Sequence, residues 1–116
     1  MARYVPLTHA EFAEICARLD AGSTERSDLK AATKHLAALL VAKAPGASVE
    51  VRIPPFAAIQ VIAGARHTRG TPPAVVEMDP PTWIALGRGR MSWADAAVRA
   101  SGERSDLSSL LPLDVT

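Results

Sequence analysis

The spacing of apolar residues along this chain changes from a helical period to a strand period at Ser48, and that change limits the folds it can adopt. Before Ser48, apolar residues recur every three or four positions in two segments, which predicts helices over 9–21 and 27–44. After it, apolar and polar residues alternate from Val49 to Ile53, as in a half-buried strand. Helices that precede a group of strands, rather than alternating with them, are typical of an α+β protein.

The first predicted helix has clear start and stop signals. Thr8 can cap its N-terminus, and Glu11, three residues later, can complete a capping box. Gly22 is placed to end it. The second helix has two candidate caps, Thr24 and Ser27, so its exact start is left open.

Three further segments are predicted as strands, and a double proline interrupts the series. The segments are Phe56–Ile62, Ala74–Met78 and Val98–Ser101. Because proline cannot donate to a sheet hydrogen bond, Pro54-Pro55 marks a kink, a bulge or a sheet edge. The sequence therefore predicts four strands, or five if the double proline splits or hides one. Asp79 with two prolines after it predicts a short helix that ends at Gly87.

The composition favours one packed core and excludes several classes of protein. The chain has 116 residues, 48% of them hydrophobic, so we expect a single domain over residues 1–116. No apolar run approaches the ~20 residues of a membrane helix, which excludes a membrane-spanning protein. The formal net charge is +1 with no basic stripe, which argues against nucleic-acid binding. A single cysteine and the lack of a secretory signal predict a cytoplasmic protein.

No group of residues predicts catalysis. Cys16, the only thiol, falls on the apolar face of the first helix, where burial raises a thiol's pKa. His9, His35 and His67 lack the spacing of metal ligands, and His35 is predicted to flank its helix. The turn Gly87–Ser92 falls short of a dinucleotide-binding fingerprint, because a helix rather than a strand precedes it. We therefore expect a protein that is not an enzyme and that has no metal and no cofactor.

From Ala74 to Leu111 the order of elements resembles the sterol carrier protein family, and in particular its compact bacterial branch. The matching features are a strand ending at Met78-Asp79, a short helix Thr82-Trp83-Ile84-Ala85-Leu86, a glycine turn and an amphipathic end. The resemblance implies a mainly antiparallel sheet of about five strands, with helices packed on one face and an apolar cavity between them. It also implies non-enzymatic binding or carriage of a lipid or fatty-acyl ligand.

Strand and helix spacing selects the residues that can face such a cavity. These candidate ligand-binding residues are Phe56, Ile59, Val61, Trp83, Ile84, Leu86, Met91, Leu107 and Leu110. A turn with three cationic side chains and no acid contains Arg66, His67 and Arg69. It is the candidate site for an anionic head group, because arginine's planar fork matches carboxylate and phosphate. The alternative is an ordinary polar surface turn.

The alanine content leaves a second function open. With 22 alanines in the chain, the helices can pack closely enough on the sheet to close the cavity. The protein would then be a closed-core scaffold or a protein-interaction domain without a lipid ligand. The sequence leaves open the identity of the ligand, peripheral contact with a membrane and the oligomeric state.

Overall fold

The computed structural model describes residues 4–64, 74–102 and 105–113. The helices are α1 (His9–Asp20), α2 (Arg26–Lys43) and α3 (Pro80–Gly87). The strands are β1 (Val49–Ile53), β2 (Ala57–Val61), β3 (Ala74–Glu77) and β4 (Arg99–Ser101). Two single 3₁₀ turns complete the described elements and are Trp93–Asp95 and Ser108–Leu110.

The start of α1 is stabilised by the predicted capping box. The backbone N–H of Glu11 donates to Thr8 Oγ1 at 3.1 Å, and the backbone N–H of Thr8 donates to Glu11 Oε1 at 3.0 Å. Two N–H groups that lack partners within the helix are thereby satisfied by side chains only three residues apart. The predicted first residue, His9, is confirmed.

The start of α2 differs from both predicted alternatives. The helix begins at Arg26 with Glu25 as its cap residue, and no side chain caps it. The Glu25 carbonyl accepts hydrogen bonds from the backbone N–H groups of Asp28 and Leu29, so the helical turn has begun before Ser27. Thr24 and Ser27 are therefore not the caps, because the backbone enters the helix between them.

The sheet has four strands in the described part of the chain, in the order β2-β1-β3-β4, and it is mixed. β1 pairs antiparallel with β2 and parallel with β3, and β3 pairs antiparallel with β4. The four strands predicted from residue spacing are confirmed for the described residues, whereas the count of about five that the resemblance implies is wrong there. Two of the three pairings are antiparallel, as expected of a mainly antiparallel sheet, and the parallel pairing of β1 with β3 makes the sheet mixed. Alternating polarity identifies a strand but not its neighbours, and β3, the next described strand after β2, lies on the other side of β1. Pro54-Pro55 lies in the turn between β1 and β2 and hides no strand.

α2 is the central helix of the layer that packs on the sheet, and it contacts α1, α3 and β2. Inward side chains of the strands meet this layer in one apolar core that includes Leu36, Leu40 and Val61. Trp83 of α3 is fully buried in the same core, where its Nε1–H donates a 3.1 Å hydrogen bond to the Thr33 carbonyl. Because a buried indole N–H needs a partner, this bond fixes the position of α3 against α2.

Candidate functional site

The candidate site is an open cleft of about 460 Å³ where the end of α3 faces the last described segment of the chain. Its lining combines apolar side chains with one cation and consists of Leu86, Gly89, Arg90, Met91, Ser92, Trp93, Ser108, Leu111 and Pro112. Leu86 is almost fully buried and forms the base, whereas Met91 is 36% exposed. Trp93 and Leu111 are half-buried. The cleft therefore offers apolar surface to solvent at a concave place.

One wall of the cleft is positioned by α3 and the turn after it. Asp79 caps α3 by accepting a 2.9 Å hydrogen bond from the backbone N–H of Thr82. After the helix, the Arg90 N–H donates to the Ala85 carbonyl at 2.8 Å, which holds the turn against the helix end. Gly89 in that turn has a φ of +74°, a left-handed conformation that favours glycine.

The opposite wall is the segment 105–113, which three contacts hold in place. The side chain of Leu107 is fully buried in the core. The Leu113 N–H donates a 2.9 Å hydrogen bond to the Gly87 carbonyl at the end of α3. Lys43, at the end of α2, donates from Nζ to the Leu110 carbonyl at 2.8 Å. These contacts leave Leu111 between them as part of the cleft lining.

A cluster of three charged side chains lies beside the cleft. Arg88 donates two hydrogen bonds of 3.0 Å to the two carboxylate oxygens of Asp20, which is the last residue of α1. Arg90 Nη2 lies 3.4 Å from Asp20 Oδ2. Hydrogen bonding to Arg88 is the main reason why the pKa of Asp20 is lowered. The cluster therefore contains one ionised carboxylate and two guanidinium groups.

The structure distributes the predicted ligand-binding residues over several places. Leu86 and Met91 line the cleft together. Leu107 and Leu110 belong to the segment 105–113 but are not among the residues that line the cleft. The other predicted residues on the helix and the strands are buried in the apolar core and are Ile59, Val61, Trp83 and Ile84. Ligand contact at each of these positions stays a prediction.

Phe56 lies apart from the other predicted residues. It lines a separate cleft of about 400 Å³ with Tyr4, Arg52 and the double proline. The Arg26 guanidinium lies 4.9 Å from its ring centroid, a distance at which a cation and an aromatic face attract. Arg66, His67 and Arg69 lie outside the described residues, so the head-group site stays a prediction.

Sequence reasoning did not select Arg90, Trp93 and Leu111 as lining residues. Arg90 belongs to the turn Gly87–Ser92, and Leu111 belongs to the amphipathic end of the segment that resembles the family. One available signal was the proximity in sequence of Met91 and Trp93, two large apolar side chains in a polar turn. The partner wall comes from residues about twenty positions further along the chain, so the sequence alone does not bring the two walls together.

Chemistry-bearing groups elsewhere in the described ranges are few. Cys16 is half-buried, and burial raises the pKa of its thiol. Residues 4–64, 74–102 and 105–113 contain no group of three or more His, Cys, Asp or Glu side chains arranged to hold a metal ion. Within the same ranges, no helix has the length and apolar composition needed to cross a bilayer.

Comparison with known proteins places this architecture in a family. A family model described as "Bacterial SCP ortholog", where SCP stands for sterol carrier protein, matches residues 25–113. The match covers both walls of the cleft and leaves α1 outside the matched segment. No protein with a curated description matches the chain. Since the matched segment is most of the chain, this protein belongs to the bacterial sterol carrier protein ortholog family.

Proposed function

We propose that the protein binds the acyl chain of a lipid, or another hydrophobic ligand, in the cleft between α3 and the segment 105–113. The observation on which the proposal rests is the apolar lining of that cleft, which includes the exposed Met91 and the buried Leu86. Membership of the sterol carrier protein family supports the same ligand class. The proposed role is carriage without a chemical change in the ligand.

The size and lining of the cleft suit such a ligand. Sites for small molecules in proteins occupy about 300–1,000 Å³ and are mostly apolar, and this cleft of about 460 Å³ falls within that range. Each methylene removed from water contributes ~0.8 kcal/mol before ordering costs. The flexible thioether side chain of Met91 can adapt to chains of different shape, as methionine does at other binding surfaces with broad specificity.

The packing of the core supports a second candidate, a closed-core scaffold or protein-interaction domain. A side chain beside a water-sized cavity would have accessible surface, and Leu36, Leu40, Val61 and Trp83 have none. Close packing of this kind between helices and sheet fits a domain that binds proteins through its surface. The two candidates differ in whether a small apolar ligand is bound.

Quenching of tryptophan fluorescence by acrylamide can test the binding proposal. Trp83 is fully buried and Trp93 is half-buried in the cleft lining, so quenching reports mainly on Trp93. We expect dodecanoate or dodecanol at saturation to reduce quenching in the wild type, and we expect a Trp93→Phe variant to lose this change. Unchanged quenching, together with failure to bind a fluorescent fatty acid at micromolar concentration, would exclude the cleft as the site.

Native mass spectrometry of protein purified from its own cells separates the two candidates. A lipid that co-purifies in a stoichiometric amount supports carriage. A multimer without a bound lipid supports the scaffold.

A further inference from the structure

Arg90 lines two clefts at once. One is the candidate ligand cleft, and the other, of about 330 Å³, lies against α1 and includes Phe12, Cys16 and Asp20 in its lining. Arg90 therefore lies between the lining that contains Met91 and the carboxylate at the end of α1, which its Nη2 approaches to 3.4 Å. Of the residues that line the ligand cleft, Arg90 alone has a charged side chain.

The two arginines of the turn are bound to Asp20 in very different ways. Arg88 donates one 3.0 Å hydrogen bond to each carboxylate oxygen, and its side chain is only 12% exposed. Such bidentate pairs are the strongest that a carboxylate forms with arginine. Arg90 reaches a single oxygen, Oδ2, at 3.4 Å, which is beyond the usual range of an N–H···O bond, and its side chain is 58% exposed.

Because of this asymmetry, the positive charge of Arg90 is only weakly paired. Asp20 contributes one negative charge, and the bidentate contact with Arg88 occupies both of its oxygens. The three-residue cluster has two positive charges and one negative charge, so one positive charge is in excess. Because Arg88 is mostly buried and bound to Asp20 by two hydrogen bonds, the excess positive charge is on the more exposed Arg90, where an anion can reach it.

We propose that Arg90 binds the anionic head group of an amphiphile whose apolar chain lies in the cleft, and that Asp20 is an internal competitor for the same guanidinium. The inference rests on the proposed function, since it names the ligand class of that site. The head group is a carboxylate or a phosphate, because both present the paired oxygens that arginine's planar fork recognises. A free fatty acid and an alkyl phosphate are the two sources of this chemistry.

The position of Asp20 gives α1 a role in ligand selection. α1 precedes the segment that matches the family model, so Asp20 lies outside that segment while Arg90 lies within it. An incoming anion has to displace only the 3.4 Å contact of Arg90, while Arg88 continues to hold α1 through Asp20. Removal of the Asp20 charge should therefore strengthen anion binding rather than weaken it.

The test compares three ligands of equal chain length, dodecanoate, dodecyl phosphate and dodecanol, with the wild type, Arg90→Gln, Asp20→Asn and Arg99→Gln. Affinities are measured by isothermal titration calorimetry at low salt. Arg99→Gln is the matched control, because Arg99 is an exposed arginine paired with Glu77 and lies outside the cleft lining. Circular dichroism confirms that each variant is folded.

We expect Arg90→Gln to weaken the binding of the anionic ligands about three- to fivefold more than it weakens dodecanol binding, which is the range of an exposed ion pair. Asp20→Asn should strengthen the binding of the same anions about twofold. Arg99→Gln should leave the affinities for the anionic ligands and for dodecanol unchanged. The ratio of dodecanoate to dodecyl phosphate affinity identifies which head group Arg90 prefers.

Two results would overturn the inference while leaving the proposed function intact. The first is dodecanol binding to the wild type with no effect of Arg90→Gln on the anionic ligands. The second is an equal loss of affinity for the anionic ligands and for dodecanol in Arg90→Gln, which would mean that Arg90 maintains the shape of the cleft rather than binding a head group. If no ligand binds to the wild type, the proposed function and the inference are both wrong.

Discussion

The backbone N–H of Leu7 donates a 2.9 Å hydrogen bond to Nδ1 of His35, and this bond joins the segment before α1 to the middle of α2. The His35 side chain is 5% exposed, and its ring stacks on Phe12 with 4.1 Å between the ring centroids. The prediction that His35 flanks its helix is therefore wrong, because the residue is buried under α1. Acceptance of this bond requires an unprotonated Nδ1, so the folded protein holds a neutral imidazole.

We predict that the free energy of unfolding decreases as the pH falls through about 6.5, because of His35. Burial lowers the pKa of His35 in the folded state, so the unfolded chain takes up the proton first. The stability that neutral His35 contributes is fully present above the unfolded pKa of about 6.5. Below that pH, the free energy of unfolding decreases by at most ~1.4 kcal/mol per pH unit. Urea unfolding of the wild type and of His35→Asn between pH 5 and 8 measures the difference.

His9→Asn serves as the control for this pH experiment, because it replaces an exposed histidine of α1. The His9 variant should keep the pH dependence of the wild type. An equal pH dependence in wild type and His35→Asn would contradict the role of the Leu7–His35 bond.

Truncation of a large buried apolar side chain should be costly in both α1 and α2. Phe12 and Leu36 are both buried in the apolar core, as their sequence spacing predicts. Replacement of either by Ala should lower the free energy of unfolding by ~2–5 kcal/mol, because transfer energy is lost and a cavity remains. Val5→Ala at a 75% exposed position is the control. If both variants lowered the free energy of unfolding by less than ~0.5 kcal/mol, as substitutions at surface sites do, the prediction would be wrong.

Gly46→Ala should destabilise the protein more than Gly22→Ala. Both glycines have positive φ angles, which cost an alanine ~1–2 kcal/mol. A Cβ on Gly46 would also lie 2.1 Å from the Ile62 carbonyl carbon, whereas a Cβ on Gly22 would meet nothing within 4 Å. We expect the clash to add at least ~1–3 kcal/mol, as overpacking does. Chemical denaturation of the two variants should show this difference, and equal losses would contradict the close approach at Gly46.

Met91→Gln should weaken the binding of a neutral ligand with a long alkyl chain at least about fivefold. The substitution keeps the side-chain length but adds an amide, whose burial without a partner costs ~1–3 kcal/mol. Val5→Gln is the control, because Val5 is the other exposed large hydrophobic residue of the described ranges and lies outside the cleft lining. Titration with dodecanol measures both affinities. An equal effect of the two substitutions would indicate nonspecific surface adsorption.

The cationic turn predicts a separate effect on head groups. The sequence predicts that Arg66 and Arg69 belong to a polar surface turn, so an Arg66→Glu, Arg69→Glu double variant should leave the free energy of unfolding almost unchanged. It should weaken the binding of anionic lipids relative to neutral ones, because two fixed positive charges become negative. Vesicle binding at low salt measures the ratio. An unchanged affinity for anionic lipids would contradict the prediction that Arg66, His67 and Arg69 form a head-group site.

The sequence by itself determined the features whose partners lie close along the chain. Thr8 and Glu11 form their capping box across three residues, and Asp79 caps α3 through Thr82, also three residues away. The alternation in Val49–Ile53 predicted β1 with the correct bounds. In each case the stabilising interaction, or the pattern of burial, is contained within one turn or one strand, so local residue types are sufficient to predict it.

The tertiary structure decided every feature that depends on long-range contacts. The parallel pairing of β1 with β3 is part of the strand order of the whole sheet, which the residues of neither strand encode alone. Arg88 meets Asp20 across 68 positions, and Leu7 meets His35 across 28. The cleft likewise requires α3 and the segment 105–113 to pack side by side. Such partners are selected by the folding of the whole core, because burial and geometry, rather than residue type, choose among many chemically equivalent side chains.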